Sequence, residues 1–449
     1  MRENVVLVGA GSAMFTKGMV ADMIRHGWEG ELRLVDIDPK ALSVAERLAA
    51  KMLAAKKSPI KLSAATDRRK VLPGATAVIC TIGVGGRRGW EQDVFIPRKH
   101  GIYQPVGDSV MPGGSSRALR MIPAMVAIAE DVLDLAPQAL FFNYGNPMGP
   151  ICRAVRKATG AEVVGLCHGV FHIAHQLAEI LEVAPASLAH TAVGMNHLTW
   201  FTELSVDGRD LLPSLMAKAE QKLRGAKRTA SKSLRYGAIG EARSENFIWE
   251  LTNLFGAFPA VGDRHTTEFF PWMFGKKGAY YGKTLGIDAF SFENTIAAGD
   301  RIFKEMTEIA EASGDLPADY FEKMSGEHEQ VIEIIESVRH GKGKIYSTNL
   351  PNKGQIPNLP PDAVVECPAI AAAGGLKPIQ QRPLPSGIAG TLATRLQWVE
   401  TVVEAALKRS RRLFVQALLL DGAVDSVATA EKLANELLAA QKAHLPEFE

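Results

Sequence analysis

Apolar and polar positions along the chain follow two regimes. Up to about residue 195, short runs rich in apolar, β-branched residues alternate with longer stretches where apolar side chains recur every three or four positions. The short runs at 4–8, 31–36, 75–81, 139–144 and 162–166 read as buried strands, because they are brief and almost continuously apolar. The longer stretches at 14–26, 39–56, 116–133 and 150–157 predict helices, one of them opening on Pro39. Strands alternating with helices imply right-handed crossovers and a parallel, doubly wound, Rossmann-like α/β sheet. The loops at 9–12, 36–38, 81–86 and 143–147 then line one sheet edge, where open α/β folds bind ligands. Beyond 195 the alternation fades into helical periodicity at 300–312, 318–339, 390–420 and 427–441. The Pro- and Gly-rich stretch 342–386 reads as a surface or partner-facing wrap. The expected organisation is a nucleotide-binding domain over 1–195 and a mainly helical α+β domain over 196–449 for catalysis and oligomerisation.

Composition narrows the function classes. Lys+Arg numbers 51 against 49 Asp+Glu, a net charge of +2, so no global bias points to nucleic acid or an anionic membrane. No apolar run reaches the roughly 18 residues a bilayer span needs. Arg2 followed by the apolar stretch from Val5 to Met14 mimics a leader, but Glu3 and Lys17 interrupt it, and a cytoplasmic location is expected. Four Cys in 449 residues suit a reducing compartment rather than a disulfide scaffold.

Two motifs carry chemistry. In the first, Val5–Val8 runs into Gly9-Ala10-Gly11-Ser12, where Gly9 allows a tight turn and Gly11 a close approach to a pyrophosphate. The N–H groups of the following helix would face that anion. A third Gly is missing, its place taken by Met14. Asp36 ends the second strand, where a carboxylate binds a ribose 2′-hydroxyl and disfavours a 2′-phosphate, so NAD is expected over NADP. Thr81 and Asn143 close two further strands at the same edge. In the second motif, the strand 162–166 ends on Cys167-His168-Gly169, and Asn196-His197 follows thirty residues later. A thiolate and an imidazole form a partial metal site with positions left open; taken alone, a buried thiol and a core histidine is the simpler reading. His168, His172 and His175 share a helix face, a pattern that packing against a polar cleft also produces.

Together these residues resemble glycoside hydrolase family 4, whose members use NAD and Mn2+ and depart from the two-carboxylate pattern of most glycosidases. The resemblance spans nearly the whole chain. It rests on Gly9–Ser12 with Phe15, Val35–Asp38, Gly107-Asp108 leading to Pro112-Gly113-Gly114, and Arg117–Pro123. It continues through Asn143 with Asn146-Pro147, Cys167-His168-Gly169, Gly194–His197, Asn358-Leu359-Pro360 and Val364–Pro368. It implies that Cys167 and His197 hold the metal. It also implies a cycle in which NAD oxidises the sugar at C3, the C2 proton leaves, the C1–O bond breaks by elimination, and water and the hydride return.

Roles follow from that likeness. Asn143 would touch the nicotinamide ribose, Asn146, Asp108 and Asn196 would bind the sugar, and His168 would assist the leaving group or bind the sugar. The stretch Gly262–His265 is similar to the branch acting on unphosphorylated α-glycosides, which makes Asp263 the candidate C2 base, with Tyr236 second. Cys-His-Gly is similar to the α-glucuronidase and α-galacturonidase branch. A uronate would want a bidentate guanidinium, and Arg87, Arg88 and Arg264 are the candidates. An oxidoreductive sulfoquinovosidase and a neutral α-glucosidase or α-galactosidase are the alternatives within the family reading. An NAD-dependent 2-hydroxy-acid dehydrogenase is the alternative class. The likeness further implies a homodimer or homotetramer.

Overall fold

The computed structural model describes residues 1–226, 246–322 and 330–449. Its spine is one sheet built from nearly every strand. In chain order these are β1 (Arg2–Val8), β2 (Glu29–Val35), β3 (Lys61–Ala65), β4 (Ala77–Cys80), β5 (Leu140–Asn143), β6 (Val163–Gly165), β7 (Ala189–Met195), β8 (Leu198–Val206), β9 (Arg209–Asp210) and β10 (Phe258–Pro259). The short hairpin β11 (Ala279–Tyr280) and β12 (Lys283–Thr284) stands apart, and β13 (Lys344–Pro351), β14 (Val364–Ala372) and β15 (Gly375–Pro378) complete the set. The sheet order is β10-β8-β7-β14-β13-β6-β5-β4-β1-β2-β3. From β6 to β3 every pairing is parallel, the doubly wound order expected from the alternating pattern. From β6 onward through β13, β14, β7, β8 and β10 the pairings are antiparallel.

Helix Pro39–Ala55 starts on Asp38, whose carboxylate accepts from Lys40 N and Ala41 N, with Pro39 at the first turn. Helices Met111–Leu135, Met148–Thr159 and Ser386–Lys408 pack together on one side of the sheet. On the other side, helices Thr16–Arg25 and Pro39–Ala55 share a core with Phe292–Glu311 and Gln330–His340 from the far end of the chain. The turn at 195–198 therefore falls inside a continuous sheet, and C-terminal helices complete the wall over β1 and β2.

The stretch 342–386 is not a surface wrap. It carries β13 and β14, which lie in the middle of the sheet, with Val365, Cys367, Ala369 and Ala371 fully buried. Its prolines sit mostly at strand ends and in the connecting loop, where no ladder N–H is lost. The segment 390–420 is two helices, Ser386–Lys408 and Arg411–Leu420, because Arg409 turns left-handed (φ 53°) and Ser410 caps the second on Leu413 N. No helix among the described residues is long and apolar enough to cross a membrane.

Candidate active site

The glycine turn after β1 is sterically forced. Gly9 sits at φ +91°, and a Cβ there would lie 2.8 Å from Ile82 N. At Gly11 a Cβ would meet Ala41 Cβ at 2.6 Å and Asp36 Oδ2 at 2.8 Å. Gly11 N instead donates to Asp36 Oδ2 (2.8 Å), and Asp38 N donates to Asp36 Oδ1 (3.0 Å). Thr81 Oγ1 donates to Gly9 O (2.9 Å), and Ser12 Oγ accepts from Met14 N (3.3 Å). Met14 is solvent-exposed where a third glycine would stand. Gly9, Gly11, Ser12, Met14, Asp36 and Thr81 thus meet at one edge, a cradle that backbone groups line and no Cβ obstructs. Asn143 closes β5 at the same edge. Its Nδ2 donates to Gly145 O and its Oδ1 accepts from Gly145 N, so the side chain folds back to shape the 143–147 turn.

Cys167 follows β6 and His197 sits in the β7–β8 turn. A hydrogen-bonded chain fixes the imidazole: Ser109 Oγ lies 3.0 Å from His197 Nδ1 and donates to Asp108 Oδ1 at 2.7 Å. Since the hydroxyl proton goes to the carboxylate, Ser109 accepts from Nδ1–H, which leaves His197 Nε2 bare, as a metal ligand requires. Burial lowers the His197 pKa, outweighing the charges of Asp108, Glu366 and Glu268, so the ring is neutral near pH 7. Burial pushes the Cys167 thiol up to about 11, with the Glu366 charge adding to it and Asn196 opposing. A thiol in such surroundings ionises when a cation binds it. Asn196, which contacts Cys167, also donates from Nδ2 to Glu366 Oε2 (3.5 Å) and so ties the two segments together. Among the described residues no three His, Cys, Asp or Glu side chains could jointly hold an ion. A cation on this pair would therefore keep coordination positions for other ligands.

Next to the pair lies a polar cluster. Asp108 Oδ2 accepts from Asn146 Nδ2 (3.1 Å), and Arg117 Nε donates to Asn146 O (3.0 Å). Burial alone would raise the Asp108 pKa, but Arg117, His265 and His197 outweigh it and hold the carboxyl below its ordinary value. The His265 ring stands 4.6 Å from that of His197. His168 stacks on Phe15 of the glycine turn (centroids 6.3 Å, 16°) and on Tyr144 after β5 (5.8 Å, 29°). The nucleotide cradle and the Cys167–His168 strand end are therefore neighbours. The helical histidine row does not converge, since His175 Nδ1 turns to Phe171 O.

Several expected residues are engaged elsewhere. Arg87 Nε and Arg88 Nη2 both pair with Asp300 at 2.5 Å, and Arg88 also pairs with Glu91. Arg264 Nη2 donates to Thr295 Oγ1 (3.1 Å). Asp263 is fully buried, and its carboxylate accepts from the N–H groups of Asn246, Phe247 and Ile248 and from the Tyr280 hydroxyl. It caps helix Phe247–Phe255, and the engagement of its oxygens by four donors corrects the expectation that it serves as base; burial pushes its pKa up to about 6 in spite of them. Tyr236 lies outside the described residues. Conversely, Ser109, Arg117, His265, Glu268 and Glu366 surround the site without having been singled out. Glu268 Oε1 accepts from Val106 N and Gly107 N (both 2.8 Å) and holds the loop that presents Asp108.

The family 4 glycosyl hydrolase model matches residues 4–183, and the model of that family's C-terminal domain matches residues 192–424. The chain belongs to glycosyl hydrolase family 4. It is a glycoside hydrolase, and its curated relatives run along its full length. An α-glucosidase of Erwinia rhapontici is 31% identical, covering 98% of each chain. An α-galacturonidase of Bacillus subtilis is 30% identical, covering 97% of this chain and 96% of its own. A solved structure of a putative glucosidase from Bacillus subtilis superposes with a TM-score of 0.85 at 28% identity, over 98% of this chain and 100% of the other. The fold also extends to a malate dehydrogenase from Aeropyrum pernix (TM-score 0.51, 16% identity, 89% of this chain and 98% of that one). Such breadth fits a nucleotide-binding sheet reused for different chemistry.

Proposed function

We propose that this family 4 hydrolase cleaves unphosphorylated α-glycosides, α-uronides foremost, with NAD in the glycine cradle and Mn2+ on Cys167 and His197. The observation that carries this reading is the stack of Phe15 on His168, which makes the cradle and the metal pair adjoining parts of one edge. Support comes from relatives named α-glucosidase and α-galacturonidase. A 6-phospho-α-glucosidase from gut microorganisms, 20% identical with a TM-score of 0.83 over 100% of both chains, is described in complex with NAD and Mn2+. A lone thiolate would favour zinc; Mn2+ fits here because the remaining donors would be hard sugar oxygens and water.

When bound, the dinucleotide supplies reversible hydride transfer at the sugar C3, and the cation supplies Lewis acidity toward the C2 and C3 oxygens. The protein's own groups do the rest. Ser109 keeps His197 in its ligating tautomer. Asn146 and Arg117 frame Asp108, and Arg117, whose Nη groups make no hydrogen bond among the described residues, would pair with a uronate carboxylate. Asp108, ionised beside Arg117, takes the C2 proton, and His168 serves the departing glycosidic oxygen. The test is a p-nitrophenyl panel (α-glucuronide, α-galacturonide, α-glucoside, α-galactoside, sulfoquinovoside) with NAD and Mn2+ present or omitted, run in deuterated water. Turnover that requires both additions, with deuterium at product C2, is expected. Hydrolysis that proceeds without exchange at C2 overturns the reading.

A further inference from the structure

Strand β14 is apolar along its length except at Glu366. That side chain is 1% exposed in the middle of the sheet, paired across the ladders with Gly194 of β7 and Asn349 of β13. Oε2 accepts from Thr199 Oγ1 (2.7 Å) and Asn196 Nδ2 (3.5 Å). Among the described residues Oε1 makes no hydrogen bond of good geometry, although the Ser347 hydroxyl lies close to the carboxyl, and Asn196 Oδ1 makes none either. No Lys or Arg pairs with Glu366 among the described residues, whereas the comparably buried Asp93 and Asp421 are paired with Arg120 and Arg395. A buried carboxylate without a countercharge is costly to keep, so something else must compensate it. Burial resists its ionisation, and once ionised its charge acts on both Cys167 and His197.

The site itself lacks a charge. One thiolate and one neutral imidazole around a divalent cation leave a net +1 in a buried place. We propose that Glu366 is the positioning residue that supplies this second negative charge, holding the cation electrostatically from behind Asn196 without ligating it. The strand that seems only to fill the sheet is thereby part of the metal centre. Gln in its place would preserve the hydrogen bonds to Thr199 and Asn196 and remove only the charge. The inference rests on the metal reading above, and the experiment separates the two.

Mn2+ binding is measured by the spin-resonance signal of the free ion for the unsubstituted protein, Glu366→Gln and Cys167→Ser, with NAD binding and metal-free melting recorded alongside. Glu366→Gln is expected to weaken Mn2+ binding about ten- to a hundredfold, to leave NAD binding unchanged, and to melt no lower than the unsubstituted protein when metal-free. A scaffold role would lower that melting point as well. Mn2+ affinity in Glu366→Gln within about twofold of the unsubstituted protein overturns the proposal. If Cys167→Ser also binds Mn2+ normally, the metal reading itself has failed. Should Glu366→Gln not fold, Glu366→Asp and Thr199→Val, which keep the charge, are expected to hold Mn2+ affinity within about threefold. A larger loss in both, with NAD binding intact, overturns the proposal too.

Discussion

Two aspartates, both buried, show how surroundings set roles at the residue scale. Asp263 faces three backbone N–H groups and a Tyr hydroxyl, while Asp108 faces Ser109, Asn146 and the Arg117 charge. Asp263→Asn should therefore act on stability: a weakened cap costs about 1–2 kcal/mol, seen as a lower melting temperature, with kcat changed by less than about tenfold. Asp108→Asn should do the reverse. Loss of a proton-accepting group lowers kcat by about 10²–10⁴, with the melting curve nearly unmoved. Initial rates and melting curves on the two variants check both statements, and an exchange of the two phenotypes would return the base role to Asp263. On the proposed reading, uronide preference turns on Arg117. Removing a charge-assisted pair worth about 1.5–3 kcal/mol by Arg117→Gln should cut the ratio of uronide to neutral glycoside kcat/KM by about ten- to a hundredfold. An unchanged ratio would place the sugar carboxylate elsewhere.

Elements differ in how far their own residues announce them. Five of the six parallel strands were legible as short apolar runs, four of them closed by Gly, Asp, Thr or Asn at the edge where open α/β sheets bind ligands; β3, with Lys61 and Ser63 in it, was not. Cys167 and His197 stand at a strand end and a tight turn, positions the sequence shows, but only the family likeness gave them a metal role. β13 and β14 were not, because prolines and glycines in and around their connection mask a core strand as central as β1. The partners of Arg87 and Arg88 were equally hidden, since Asp300 lies more than two hundred positions away. Glu366 gave one faint signal, a charge inside the run Val364–Ala372, which in a central strand asks for an explanation. The glycine turn offers the clearest element-scale test. Gly11→Ala pushes a Cβ into Asp36 Oδ2 and Ala41, so the β1 turn must separate from the end of β2. NAD binding, followed by nicotinamide fluorescence quenching, should weaken at least about tenfold, while Mn2+ binding at Cys167 is retained. Undiminished NAD affinity would move the cofactor off this loop.

Across the whole molecule, the balance of buried carboxyls sets how stability answers pH. Glu268 is pushed up to about 8 by burial, against the N–H groups of Val106 and Gly107, with Asp108 raising it further. Asp263 reaches about 6, and burial also raises Glu366, Asp93 and Asp421. Each of these is protonated when folded at a pH where the unfolded chain has already lost the proton. The folded state thus binds more protons, and its stability falls as pH rises from the ordinary carboxyl range to each folded value. For Glu268 that window runs from about 4.5 to about 8, with a slope of up to about 1.4 kcal/mol per pH unit. Glu336 works in the opposite sense. Burial opposes its ionisation, but Lys342, Trp28 and His26 bring it down to about 2, so its contribution is complete above about 4.5 and disappears as pH falls toward 2. Glu268→Gln keeps an oxygen for the two N–H groups and removes the titration. Its melting temperature should lie close to that of the unsubstituted protein at pH 5 and above it at pH 8 and 9, the gap widening through the window. Parallel curves at pH 5, 7 and 9 would mean that Glu268 is already ionised in the folded protein, with a countercharge stronger than Arg264 provides.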